Sequence, residues 1–259
     1  MITKSQAKLI RRLGARKRRE GEKAFLVEGV RAVEELLRSE LTIDLLVTAP
    51  NLSGTARGRD LLDRIEKGDW ARAAVSEEEL RRLASTESPQ GVLAVALKVS
   101  ASLEDWEPAG EAAILVFDRL SDPGNLGTLL RAAHGLGADW AVTLPGSVDP
   151  WNPKAVRASA GSLFSLPVSR EPWSLVVAWL RRHDFTILCA DPDGQTVPRA
   201  GASPAPARFA LVVGSEPTGL SDEVRAECQR LVAIDLVGGA ESLNAAIAGA
   251  LLLDRLLSG

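Results

Sequence analysis

Three stretches of the 259-residue chain combine glycine with side chains able to bind or activate a ligand: DRLSDPGNLGTLLRAAHGLGA (118–138), VVGSEPTGLSDE (212–223) and IDLVGGAESLNAAIAG (234–249). In the first, Asp, Pro, Gly and Asn form a tight turn that opens a helix. Such a terminus presents unpaired backbone N–H groups to a polar ligand. Asn125 is expected to cap this helix, and Arg131 lies beyond its first turn. In the second stretch Glu216 stands between Gly214 and Gly219 after an apolar strand, a usual place for a working carboxylate. In the third, Ser242 and Asn244 precede an apolar helix. Each stretch also has a plain reading: an ordinary turn with a solvated Arg, a simple bend, and two helix-cap residues.

Other chemistry is less well supplied. Cys189 and Cys228 are far apart in sequence and show neither CxxC nor Cys/His spacing, so they read as core thiols, with no disulfide framework or metal site expected. His134, three residues after Arg131, shares its helix surface but more often has a structural use. A dinucleotide-binding dehydrogenase is disfavoured, because GLGADW lacks the third glycine and precedes a strand instead of following one. Trp173 and Trp179, with apolar neighbours at helical spacing, point to a core or dimer role before base stacking.

The elements that must position the three loops read as two α/β units. In the first, TKSQAKLIRRL is helical up to Gly14, AFLVEGVRAVEELL runs from strand into helix, and TIDLLVTA, ARAAVS and GVLAVALKV are strands. GRDLLDRIEK and EEELRRLA are helices, the latter capped by Ser76. SASLEDWEPAGE reads as a linker, which divides the chain into residues 1–98, a linker at 99–110 and a second unit at 111–259. That unit has strands AAILVF, WAVTL, FTILCA, RFALVVG and LVAIDL separated mostly by helical patterns, and so a largely parallel sheet. Ligands bind such sheets beyond the carboxyl ends of the strands, where the three loops fall. DPDGQTVPRAGASPAPA (191–207) reads as an exposed loop.

The net charge of −3 is unevenly spread: residues 1–24 carry +7 and the remainder −10. Arg16, Lys17, Arg18 and Arg19 are therefore candidate phosphate contacts, with a solvated helix as the alternative. The start has no apolar signal region, and the apolar run SLNAAIAGALLL is broken by Asn244 and too short to span a bilayer. A cytoplasmic protein without a membrane segment is expected.

Taken in order and spacing, DPGNLGTLLRAA, VVGSEPTGL and AIDLVGGAESLNAAIAGA resemble the three motifs of the SpoU/TrmH family of RNA ribose 2′-O-methyltransferases. The resemblance extends to DPWNPKAVRASAGSLFSLPV (149–168) and to FLVEGVRAVEELL and TESPQGVLAV in the first unit, so it covers nearly the whole chain. It implies an N-terminal ribosomal-protein L30e-like α/β domain and a C-terminal SPOUT α/β domain with a deep trefoil knot, working as a homodimer with sites near the subunit interface. It also implies S-adenosylmethionine as cofactor, bound by Val213, Gly214, Ile234, Leu236, Ser242, Leu243 and Asn244. Asn125, Arg131, Glu216, Ser242 and Asn244 match the positions associated with substrate and catalysis. Structured RNA is the implied substrate, ribosomal RNA of the 23S type before transfer RNA, with a non-enzymatic RNA-binding protein of the same fold as the other alternative.

Ile234-Asp235-Leu236 stands where the family usually has Ile-Pro-Met, so the Asp235 side chain is expected to point away from an apolar adenine slot or to bond a nearby donor. A guanidinium is a very poor base at neutral pH, so Arg131 is assigned phosphate binding and electrostatic activation of the hydroxyl.

Overall fold

A computed structural model describes residues 2–15, 19, 21–198, 205–238 and 242–258. It divides into two compact units, Met1–Val99 with Trp151–Phe164, and Ser100–Pro150 with Ser165–Gly259.

The first unit opens with helix α1 (Lys4–Gly14), whose start is a capping box: Thr3 accepts from Gln6 N–H, and the Gln6 side chain accepts from Thr3 N–H. Ala7, Ile10 and Leu13 form its buried stripe. Strands β1 (Ala24–Glu28), β2 (Ile43–Thr48), β3 (Arg72–Ala74) and β4 (Val92–Leu97) follow, interleaved with helices α2 (Val30–Leu36), α3 (Ala56–Lys67) and α4 (Glu77–Leu83). The sheet order is β1-β4-β2-β3, antiparallel except for the parallel β2–β3 pair.

Residues 151–164, which the sequence reading placed with the second unit, pack in the first. Their helix α5 (Pro153–Ala158) is started by Asn152 and Pro153. Phe25 of β1 is fully buried, with the Trp151 ring 4.5 Å and the Phe164 ring 6.0 Å from its own. Arg157 donates to Ser85 Oγ at 2.9 Å and sits 3.4 Å from the buried Glu28 carboxylate. Phe25→Ala is expected to cost about 3–5 kcal/mol of stability by emptying an aromatic site, read from the urea midpoint. A fragment ending at residue 98 exposes the same ring.

Of the basic arm, Arg16, Lys17 and Arg18 lie outside the described residues. Arg19 differs from expectation: it is buried and its guanidinium donates to the Leu13 carbonyl at 2.9 Å, a position unlike that of an exposed phosphate contact.

The second unit is a six-stranded parallel sheet of order β10-β8-β9-β5-β6-β7. The strands are β5 (Ala112–Phe117), β6 (Trp140–Thr143), β7 (Val168–Arg170), β8 (Thr186–Thr196), β9 (Arg208–Val213) and β10 (Arg230–Ala233). Helices α6 (Pro123–Leu136), α7 (Trp173–Arg182), α8 (Asp222–Glu227) and α9 (Ala245–Leu257) complete it. β5 is buried along its whole length, as a central parallel strand must be.

The segment read as a linker is anchored in this unit. Leu103 is fully buried, and Trp106 stacks with both Trp140 and Trp179 at ring separations of 5.4 Å. Arg208 donates to the carbonyls of Gly110, His183 and Pro108 at 2.8–3.1 Å. Trp173 and Trp179 are core residues. Strand β8 also runs on through Thr196, beyond the Ala190 at which the sequence reading ended it. No helix among the described residues is long and apolar enough to cross a membrane.

Candidate functional site

The loop after β5 is tied to the loop after β9 by a buried carboxylate that sequence reasoning passed over. Asp118 N–H donates to the Val213 carbonyl at 3.0 Å, and Asp118 Oδ2 accepts from Ser221 N–H at 2.5 Å. Gly214 permits the second loop to fold back: a Cβ there would stand 2.5 Å from the Gly219 carbonyl carbon. Ser215 and Gly219 close the loop with reciprocal backbone hydrogen bonds of 3.1 and 2.8 Å. At the third loop α9 packs on α6, and Gly249 is the residue that lets it approach, since a Cβ would come within 2.7 Å of Leu129 Cδ2.

These constraints bring Asn125, Glu216 and Asn244 together. Glu216 Oε1 accepts from Asn125 Nδ2 at 2.5 Å and from Asn244 Nδ2 at 2.9 Å, and Asn244 Nδ2 also reaches Asn125 Oδ1 at 3.2 Å. Asn244 serves both readings the sequence allowed. Its Oδ1 caps α9, accepting from Ala246 and Ile247 N–H at 3.0 and 3.4 Å, which turns its amide nitrogen toward the other two side chains. Asn125 is not the cap of α6. Asp122 fills that role, accepting from Asn125 N–H at 2.8 Å with Pro123 in the first turn, and the Asn125 side chain is left for the cluster. Asp122→Ala is accordingly expected to lower stability by about 1 kcal/mol in a thermal melt, with a smaller loss for Asn125→Ala.

The cluster borders a cleft of about 960 Å³ within the second unit. Every residue expected to hold the cofactor lines it: Val213, Gly214, Ile234, Leu236, Ser242, Leu243 and Asn244, with Glu216 beside them. The apolar side chains among these suit an adenine and the polar ones its ribose and tail, so the residues present fit S-adenosylmethionine. Asp235 borders the cleft but is exposed, so its carboxylate keeps its hydration.

Two expected residues do not join the cluster. Ser242 lines the cleft without a hydrogen bond to it among the described residues. Arg131 is exposed on α6, outside the cleft lining and without hydrogen bond or ion pair among the described residues. His134, in the last turn of α6, is exposed as well.

The sequence reading also missed Ala190, Asp191, Pro192, Asp193 and Arg225, which form another part of the wall. The available signal was the Asp-Pro-Asp-Gly run after an apolar strand, of the same kind as the other loops. Cys189, below this run, is buried, and desolvation followed by a hydrogen bond with Cys228 pushes its thiol well above the usual range, so it stays protonated. The fold thus makes neighbours of two cysteines that are distant in sequence. Among the described residues no group of His, Cys, Asp and Glu is arranged to hold a metal.

Residues 112–254 match the model of the SpoU rRNA methylase family, and residues 4–94 match that of the MRM3-like substrate binding domain. The chain is 30% identical over 250 residues to the 23S rRNA (guanosine(2553)-2′-O)-methyltransferase RlmP of Bacillus subtilis, covering 95% of this chain and 93% of the relative. It is 32% identical over 248 residues to the 23S rRNA (uridine(2479)-2′-O)-methyltransferase of Streptomyces viridochromogenes, covering 93% and 85%. A crystal structure of the SpoU methyltransferase AviRb from Streptomyces viridochromogenes in complex with AdoMet superposes with a TM-score of 0.83 at 29% identity, over 98% of this chain and 97% of that one. Matched by the family model over residues 112–254 and by these relatives along nearly its full length, this chain belongs to the SpoU rRNA methylase family.

Proposed function

We propose that the protein methylates a ribose 2′-hydroxyl in structured RNA, ribosomal RNA of the 23S type, with S-adenosylmethionine as methyl donor. The observation that carries this reading is the Asn125–Glu216–Asn244 cluster on the rim of the cleft that gathers all the expected cofactor residues. The bound cofactor supplies an electrophilic sulfonium methyl group. The chain supplies orientation, worth about 7–11 kcal/mol of barrier where reactants are well aligned.

Val213, Ile234, Leu236 and Leu243 take the adenine, and Gly214 offers its backbone. Glu216 locks two amides through Oε1 and leaves Oε2 without a donor among the described residues, and so able to accept from a substrate hydroxyl. Ser242 contributes a hydroxyl to the cleft wall. Arg131 binds the RNA phosphate beside the target ribose and stabilises the developing alkoxide.

Several finer features belong to the same proposal. The first unit is an L30e-like substrate domain that receives RNA, with Arg16, Lys17 and Arg18 as phosphate contacts. The second is a SPOUT domain with its C-terminal segment threaded as a trefoil knot. The protein acts as a cytoplasmic homodimer, a reading supported by exposed apolar residues on α9: Ile247 and Leu251, one turn apart, are 52% and 38% exposed.

The test is transfer of a radiolabelled methyl group from S-adenosylmethionine to ribosomal RNA, with transfer RNA as comparison, followed by mapping of 2′-O-methyl positions. Label in a ribose of large-subunit RNA is expected. Label confined to transfer RNA, or none in either, defeats the reading.

A further inference from the structure

One wall of the cleft comes from none of the three loops. Strands β8 and β10 pair in register at Leu188–Arg230 and Cys189–Leu231, and the next residues of β10, Val232 and Ala233, pair with Gln195 and Thr196. Residues 190–194 therefore leave the β10 edge as a bulge while β10 continues uninterrupted, and Ala190, Asp191, Pro192 and Asp193 border the cleft.

The bulge is held in several places. Asp191 is buried; its Oδ2 pairs with the Arg225 guanidinium of α8, and its Oδ1 accepts from Asp193 N–H at 3.0 Å. Pro192 fixes φ between the two aspartates. Gly194 returns the chain to the sheet where a Cβ would lie 2.6 Å from the backbone of Leu231 and Val232, so no other residue fits without a backbone shift. With both oxygens of Asp191 engaged, Asp193 is the carboxylate this wall has left. Its side chain is exposed and has no hydrogen bond or ion pair among the described residues.

We propose that Asp193 is a cofactor-binding residue that accepts hydrogen bonds from the ribose hydroxyls of S-adenosylmethionine, and that Asp191 and Arg225 are positioning residues that hold it for this. The inference rests on the reading of the cleft as the S-adenosylmethionine site. A carboxylate has two acceptor oxygens and a ribose has two vicinal hydroxyl donors, a pairing that is charge-assisted and bidentate. The β8–β10 register puts Asp193 two residues before the partner of Val232, next to the strand that leads into Ile234 and Leu236. Those residues form the apolar wall suited to adenine, and the ribose is the group joined directly to it. The other cofactor groups that favour a carboxylate are the sulfonium, which is absent from thioether analogues, and the ammonium, which travels with the amino acid tail beyond the sulfur.

Calorimetric titration of the full chain with S-adenosylhomocysteine and with 5′-methylthioadenosine separates these choices, because the second compound keeps adenine and ribose and lacks the amino acid. Wild-type protein that binds neither removes the cofactor reading itself. Given wild-type binding, Asp193→Ala is expected to weaken both compounds about tenfold or more, and Asp193→Asn less, with an unchanged thermal melt. A loss confined to S-adenosylhomocysteine assigns Asp193 to the ammonium and overturns the proposal, as does full affinity for both. Arg225→Ala is expected to weaken both compounds in the wild-type background and to add little on top of Asp193→Ala, because it acts through that residue. Fully additive losses overturn its positioning role.

Discussion

Arg131→Ala is expected to leave fold and cofactor affinity intact and to slow methyl transfer about a hundredfold or more. The side chain is exposed on α6 and makes no hydrogen bond or ion pair among the described residues, so its removal strands no buried partner, and alanine is the strongest helix former. It stands apart from the cofactor cleft, so the affinity for S-adenosylhomocysteine should match wild type. In its proposed role the guanidinium matters as charge develops on the ribose oxygen, which would place the effect on the chemical step and not on uniform binding. Single-turnover methylation at saturating RNA and cofactor is the measurement. A wild-type rate from folded Arg131→Ala protein would strike this residue from the reaction and leave the α6 loop as a structural turn.

Glu216→Ala should also lower the single-turnover rate about a hundredfold, for a different reason. One oxygen of Glu216 restrains the amides of Asn125 and Asn244 at once, so its loss frees two side chains on separate elements. Glu216 and Asn244 are exposed and Asn125 is only half-buried, so water can reach the released amides and the melting temperature should change little. Asn244 keeps its cap on α9 because that bond uses its oxygen and not its nitrogen. Glu216→Gln retains an acceptor oxygen and should recover part of the rate. The double variant Glu216→Ala with Asn125→Ala should be little slower than Glu216→Ala alone, since both remove the same restraint. Additive losses would mean that the two side chains act separately.

Much of this fold is legible in the amino-acid sequence. The burial of β5 follows from its unbroken apolar run, and the parallel sheet from the alternation of strand and helix. The loops at the ends of β5, β9 and β10 announced themselves by Gly, Pro and Asn beside polar side chains. Less legible was the division of labour within a loop. Asp122 and Asn125 are both good caps three residues apart, and only backbone geometry selects Asp122. Arg19 reads in sequence as one of four basic neighbours, yet it is buried and donates to the Leu13 carbonyl.

Sequence by itself determined which residues are able to take part: local patterns of apolar spacing, turn residues and motif order are properties of neighbours along the chain, and they name the loops and their polar side chains. Tertiary structure decided which of them meet. Glu216 reaches Asn125 and Asn244 across separations of 91 and 28 residues, Cys189 lies beside Cys228, and residues 151–164 pack against β1 instead of the sheet whose strands flank them in sequence. The bulge that carries Asp193 depends on a register break between β8 and β10. That break belongs to two strands that meet only in the folded sheet, so the pattern of either strand by itself does not show it.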